Sequence, residues 1–86
     1  MDIYWYKNCP NCNQGRLFVF DDITNKRLYL HCEECEMGWI SPDDVDRNIN
    51  KFLTLLEDFE AVEATYNQIR NYGWNKYKFN KIQIDD

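Results

Sequence analysis

Two cysteine pairs constrain this chain more than any other feature: Cys9-Pro10-Asn11-Cys12 and Cys32-Glu33-Glu34-Cys35, each C-x2-C, with nineteen residues between them. Two residues between ligands let one tight turn aim both sulfurs at a single point, while turn amides hydrogen-bond the thiolates. The interval lies in the four-cysteine zinc range, so Cys9, Cys12, Cys32 and Cys35 are expected to hold one structural zinc ion. Both pairs continue to a glycine three residues on, Gly15 and Gly38, which argues for two equivalent knuckles built by one turn geometry. Disulfides or buried free thiols are the competing readings, and iron in place of zinc is another.

Eighty-six residues suit one domain, 1–86, and a core that small gains from a metal staple. Ten basic residues against fifteen acidic ones give a formal charge of −5. Four thiolates and one divalent zinc would move that to −7, so a protein partner is expected to be basic. Fourteen aromatic residues make global disorder implausible. The opening residues lack a secretory pattern and no apolar run is long enough to span a membrane. A reducing cytosol, hence a cytoplasmic location, is expected, and there paired cysteines serve as metal ligands more often than as disulfides. The one histidine, His31, and the one serine, Ser41, leave little from which to build a catalytic set, so a non-enzymatic role is expected. With four cysteines available, His31 reads as a strand residue.

Residues 1–40 read as strands and tight turns. Strands are expected at Asp2–Tyr6, Arg16–Asp21, Arg27–His31 and Gly38–Ile40, the middle two joined as a hairpin through Asp22–Lys26. Leu17 and Val19 point to one face and Phe18 and Phe20 to the other, so the sheet is covered on both sides or offers one as a binding surface. Residues 41–86 change character. Ser41, Pro42, Asp43 and Asp44 supply an N-cap, a first-turn proline and acids at the positive end of a helix. Val45, Ile49, Phe52, Leu56, Phe59, Val62, Tyr66 and Ile69 recur at helical steps, but Thr65-x-x-Gln68 is a capping box inside that stripe. Two helices are therefore expected: one from Pro42 ending between Asn50 and Asp58, another over Tyr66–Tyr72 stopped by Gly73. The segment between them is helix or extended. Residues 74–84 alternate at period two, as an edge strand or extended arm.

With those residues in place, the first 40 resemble a zinc ribbon: two knuckles, an antiparallel hairpin between them and a short strand after the second. The resemblance implies a ribbon sheet of three to four antiparallel strands, and with the two short helices and the extended C-terminal segment read from residues 41–86 the expected fold class is α+β. The resemblance also implies a closed zinc site without an open coordination position. Ribbon knuckles often carry Gly directly after the second cysteine, where this chain has Asn13 and Glu36. Asn tolerates positive φ and Glu does so poorly, so the second knuckle is expected to be strained or differently turned.

Glu33, Glu34 and Glu36 ring the second knuckle as a solvated turn or an acidic patch for a basic partner. Lys76 and Lys78 interleave with Trp74, Tyr77 and Phe79, a pattern for single-stranded nucleic acid or for a tail docked by its aromatics. The Thr-capped short helix ending in Tyr72-Gly73-Trp74-Asn75-Lys76-Tyr77 loosely resembles the ending of small bacterial proteins, some of them similar to immunity proteins of toxin systems. That likeness implies an inhibitor of a basic toxin such as a nuclease. A transcription-associated, nucleic-acid-binding ribbon and a rubredoxin-like iron protein for electron transfer are the alternatives.

Overall fold

Asp22 organises the central hairpin. Its buried carboxylate accepts from the Asn25 amide at 3.0 Å, Asn25 Nδ2 at 2.8 Å and Arg27 Nε at 2.9 Å. Burial alone would raise its pKa, but the Asn25 donors and the Arg27 guanidinium outweigh burial and hold it below the ordinary carboxylate range. The computed structural model describes residues 1–84; Asp85 and Asp86 of the expected 1–86 domain lie outside the described residues. Strand β1 spans Asp2–Asn8, β2 Arg16–Asp22, β3 Arg27–Cys32 and β4 Met37–Trp39. Helix α1 covers Pro42–Arg47, β5 Phe52–Leu53, β6 Ala61–Glu63, α2 Tyr66–Asn71 and β7 Asn80–Gln83, with 3-10 turns at Thr54–Leu56 and Trp74–Lys76.

The fold is α+β, with the strands paired antiparallel in the order β5-β4-β3-β2-β1-β7. The seventh, β6, pairs with β2. Seven strands exceed the three to four expected. The additional ones, β5, β6 and β7, are two to four residues long; β5 and β6 are fixed by a distant neighbour rather than by their own sequence pattern, and β7 falls in the alternating C-terminal segment.

Alternation on β2 and β3 creates two apolar faces. Leu17, Val19, Leu28, Leu30 and Trp39 form the main core, closed by Val45 of α1 and by Ala64 and Ile69 beside and within α2. On the other face Phe20 stacks on Tyr29 at 5.8 Å, and Phe52 and Phe59 pack against Tyr29 at 6.1 and 5.3 Å. Arg27 lies over both of those last rings and latches the 52–59 segment to the sheet. The sheet is thus covered on both sides, by helices and by an irregular strap.

Helix α1 starts as expected, with Ser41 Oγ accepting from the Asp44 amide, but it ends at Arg47 rather than beyond Asn50. Asn48 and Asn50 stand at φ 52° and 58°, left-handed conformations that asparagine tolerates and that stop a helix. The helical-looking stripe from Ile49 to Val62 is therefore not a helix. Phe52 and Phe59 meet the sheet, while Ile49, Leu56 and Val62 are exposed. The second helix matches expectation closely: Thr65 and Gln68 form the reciprocal capping box, and Gly73 follows at φ 77°. The C-terminal arm is an edge strand only at β7, where Ile82 pairs with Ile3.

Candidate metal centre

The register Leu17↔Cys32 places the end of β3 beside the start of β2, and the first cysteine pair follows directly from β1. The hairpin thereby returns the chain to its first knuckle. The four Sγ atoms all lie within 4.8 Å of one another. Cys9 and Cys35 sulfurs are 3.7 Å apart, and Cys12 and Cys32 sulfurs 3.6 Å. A disulfide needs about 2.0 Å, so these are not bonded pairs. A tetrahedral ion with metal–sulfur bonds of about 2.3 Å requires sulfurs about 3.8 Å apart, and the two crossed pairs meet that spacing. The residues present fit a four-thiolate metal ion.

The two knuckles share one geometry. In each, the first cysteine, Cys9 or Cys32, is fully buried and the second, Cys12 or Cys35, is half-buried. The residue after the second cysteine is left-handed in both, Asn13 at φ 59° and Glu36 at φ 63°. Sequence spacing anticipated this equivalence. The strain anticipated at Glu36 takes the form of a left-handed glutamate whose carbonyl accepts from the Thr54 amide at 3.0 Å and Thr54 Oγ1 at 2.6 Å. Its carboxylate lies 2.7 Å from His31 Nε2. His31 is a β3 strand residue, as expected.

Turn amides reach the sulfurs. Asn11 N–H donates to Cys9, and the Glu34 and Cys35 amides donate to Cys32, each at 3.4 Å. Asn11 Nδ2 adds a donor to Cys35 at 3.6 Å across the two knuckles. Burial pushes the Cys9 and Cys32 thiols up, whereas the Gly15 and Gln14 amides draw Cys12 down to about 6. A cation in the centre would offset the cost of burying two thiolates. Gly15 has its own reason to be glycine: a Cβ there would stand 2.5 Å from Cys32 Sγ. At Gly38 it would meet Phe52 and Thr54 at 2.8 Å instead. Gly15 was singled out from sequence as part of the knuckle, whereas Asn11 and Thr54 were not. Asn11 and Gly15 lie within the motif, but Thr54 carries no local signal.

The acidic ring is less free than its sequence implies. Glu33 forms a forked ion pair with Arg16, Nε to Oε2 at 2.7 Å and Nη2 to Oε1 at 3.1 Å, and Glu36 faces His31. Glu34 has no ion pair among the described residues. In the tail, Trp74 stacks on Phe79 at 6.3 Å and 12°, and Tyr77 packs edge-on to both. These three rings are half-buried, while Lys76 and Lys78 are exposed, Lys76 with its ammonium 5.3 Å from the Tyr77 ring centre. No hydrogen bond or ion pair among the described residues joins this tail to the acidic knuckle. Among the described residues no helix is long and apolar enough to cross a membrane. No family model, curated protein or solved structure matches the chain.

Proposed function

We propose that this chain is a non-enzymatic, zinc-stapled protein-interaction module whose partner is basic, and specifically that it inhibits a basic toxin such as a nuclease. The zinc reading is carried by the four converging sulfurs. Zinc accepts a closed tetrahedral thiolate cage without redox chemistry, and the ion would supply folding free energy that a small core lacks. Cys9, Cys12, Cys32 and Cys35 would hold it. The protein-binding reading is supported by the formal charge of −5, which falls to −7 with the bound site and steers cations toward the surface.

The half-buried packing of Trp74, Tyr77 and Phe79 weighs against a stacking platform for single-stranded nucleic acid, which needs open ring faces. Native mass spectrometry of the protein from its own cells tests metal and partner together. One zinc and a basic protein partner are expected. A red iron protein, or retention of oligonucleotides in a salt-sensitive complex, would overturn the respective part.

A further inference from the structure

Strand β2 is flanked on one side by two strands in succession: β1 beside its beginning, through Trp5↔Phe18, and β6 beside its end, through Phe20↔Glu63, Asp21↔Val62 and Asp22↔Ala61. The two flanking strands part at this point and leave a fork. A cavity of about 370 Å³ lies in it, lined by Asp2 and Tyr4 from β1, by Glu63 and by Thr65 and Tyr66 at the start of α2. That is near the small end of ligand sites, roughly 300–1,000 Å³, and suits one side chain rather than a whole cofactor.

The outer edge of β6 is open. The Ala64 amide donates to Val19 and the Ile23 amide to Glu60, so residues 60, 62 and 64 face β2. By the same alternation, the N–H and C=O groups of Ala61 and Glu63 point away from β2, and β6 pairs with no other strand among the described residues. Open edges are ordinarily blunted by lysine, proline or a bulge. This one carries only acids: Glu57, Asp58, Glu60 and Glu63 flank Ala61 and the exposed Val62, and no basic residue interrupts residues 57–63. Two copies of the edge would oppose like charges, which disfavours self-pairing, whereas a strand of opposite sign is attracted.

We infer that the outer edge of β6 receives an extended, basic segment of the partner protein by strand addition, with one of its side chains entering the fork cavity. Main-chain bonds to Ala61 and Glu63 supply the pairing, and the acidic flanks select charge. This rests on the proposed basic partner. The two are separable, because a natural partner that binds an edge-blocked variant unchanged would retain the basic-partner reading and overturn the β6 site.

The test uses the zinc-loaded full chain, amide NMR and two probes, acetyl-Lys-Val-Arg-Val-Lys-amide and acetyl-Glu-Val-Glu-Val-Glu-amide. Saturable shifts and slowed hydrogen exchange at the Ala61 and Glu63 amides are expected with the basic peptide alone. Ala61→Pro removes an outward donor while leaving the bonds to β2, and should abolish the exchange protection without lowering the melting temperature appreciably. Glu60→Gln with Glu63→Gln, both exposed, should weaken binding about threefold or more at low salt and little at high salt. Equal binding of the acidic peptide, shifts that avoid β6, no saturable shift, or full binding by Ala61→Pro would each overturn the inference.

Discussion

The two knuckles carry the same ligand spacing, the same burial of the first cysteine and the same left-handed residue, yet they are supported differently. The first is braced by the metal centre itself: at Gly15 a Cβ would stand 2.5 Å from the Cys32 sulfur, and Asn13 occupies the left-handed position at little cost. The second is braced by the rest of the chain, since Thr54 holds the Glu36 carbonyl, His31 holds its carboxylate, and Phe52 and Thr54 close over Gly38. The difference teaches that a four-ligand site can be symmetric in its turns while its two halves draw their support from different parts of the chain. The second half of the chain reaches the metal through the second knuckle.

The largest effect is expected where the knuckles must be equivalent. A structural zinc contributes roughly 10 kcal/mol or more to folding, so Cys12→Ser and Cys35→Ser should each leave the chain unfolded or severely destabilised at neutral pH by circular dichroism. A large difference between the two would break the symmetry. Acidity acts on the same pair of knuckles. Burial holds Cys9 and Cys32 protonated in the metal-free fold, so metal uptake must release both protons. Apparent zinc affinity, measured against a chelator, should therefore rise by at least about hundredfold per pH unit near neutrality. Cys12, already drawn down to about 6, adds to that slope only in acid. A pH-independent affinity would contradict ligation by thiolates.

The glycines separate the knuckles. Gly15→Ala sets a methyl against Cys32 Sγ and should disturb the four-sulfur zinc coordination; Gly38→Ala meets the end of the Phe52 ring and Thr54, and should lower the melting temperature by the equivalent of about 1–3 kcal/mol with one zinc and its four-sulfur coordination retained. Equal loss of zinc from both variants would erase the distinction. The smallest effect concerns the left-handed residues. Glu36→Gly relieves about 1–2 kcal/mol of backbone strain. It loses a half-exposed contact to His31, worth under about 1 kcal/mol, and gains chain entropy in the unfolded state. Melting should show little change or a gain of about 1 kcal/mol, more than for Asn13→Gly, which starts from a tolerant residue. A marked loss would show that the Glu36 side chain, rather than its backbone, shapes the second knuckle.

The contrast between regions also explains what the sequence disclosed. The ligands, the hairpin, the caps at Ser41 and Thr65 and the stop at Gly73 depend on neighbours within a few residues, and each was legible. In the stretch from Asn48 to Glu63 the first helix was carried past its end at Arg47 and the remainder was left as helix or extended, because apolar steps of three and four fit a helix as well as a strap that drops Phe52 and Phe59 onto a sheet. Asparagines at 48 and 50 decide between the two, and their left-handed turn has no periodic signature. Strands β5, β6 and β7 are set by partners far away in the chain. Thr54 supports the metal centre for the same reason, and the fork beside β6 exists only once β1 and β6 part from β2.

Zinc K-edge X-ray absorption on the purified, full-length protein examines the four-sulfur centre most directly. One zinc per chain with four sulfur neighbours at about 2.3 Å is the expected result. A shell containing nitrogen or oxygen in place of one or more sulfurs, or a protein that folds fully with no metal and paired disulfides, would contradict it.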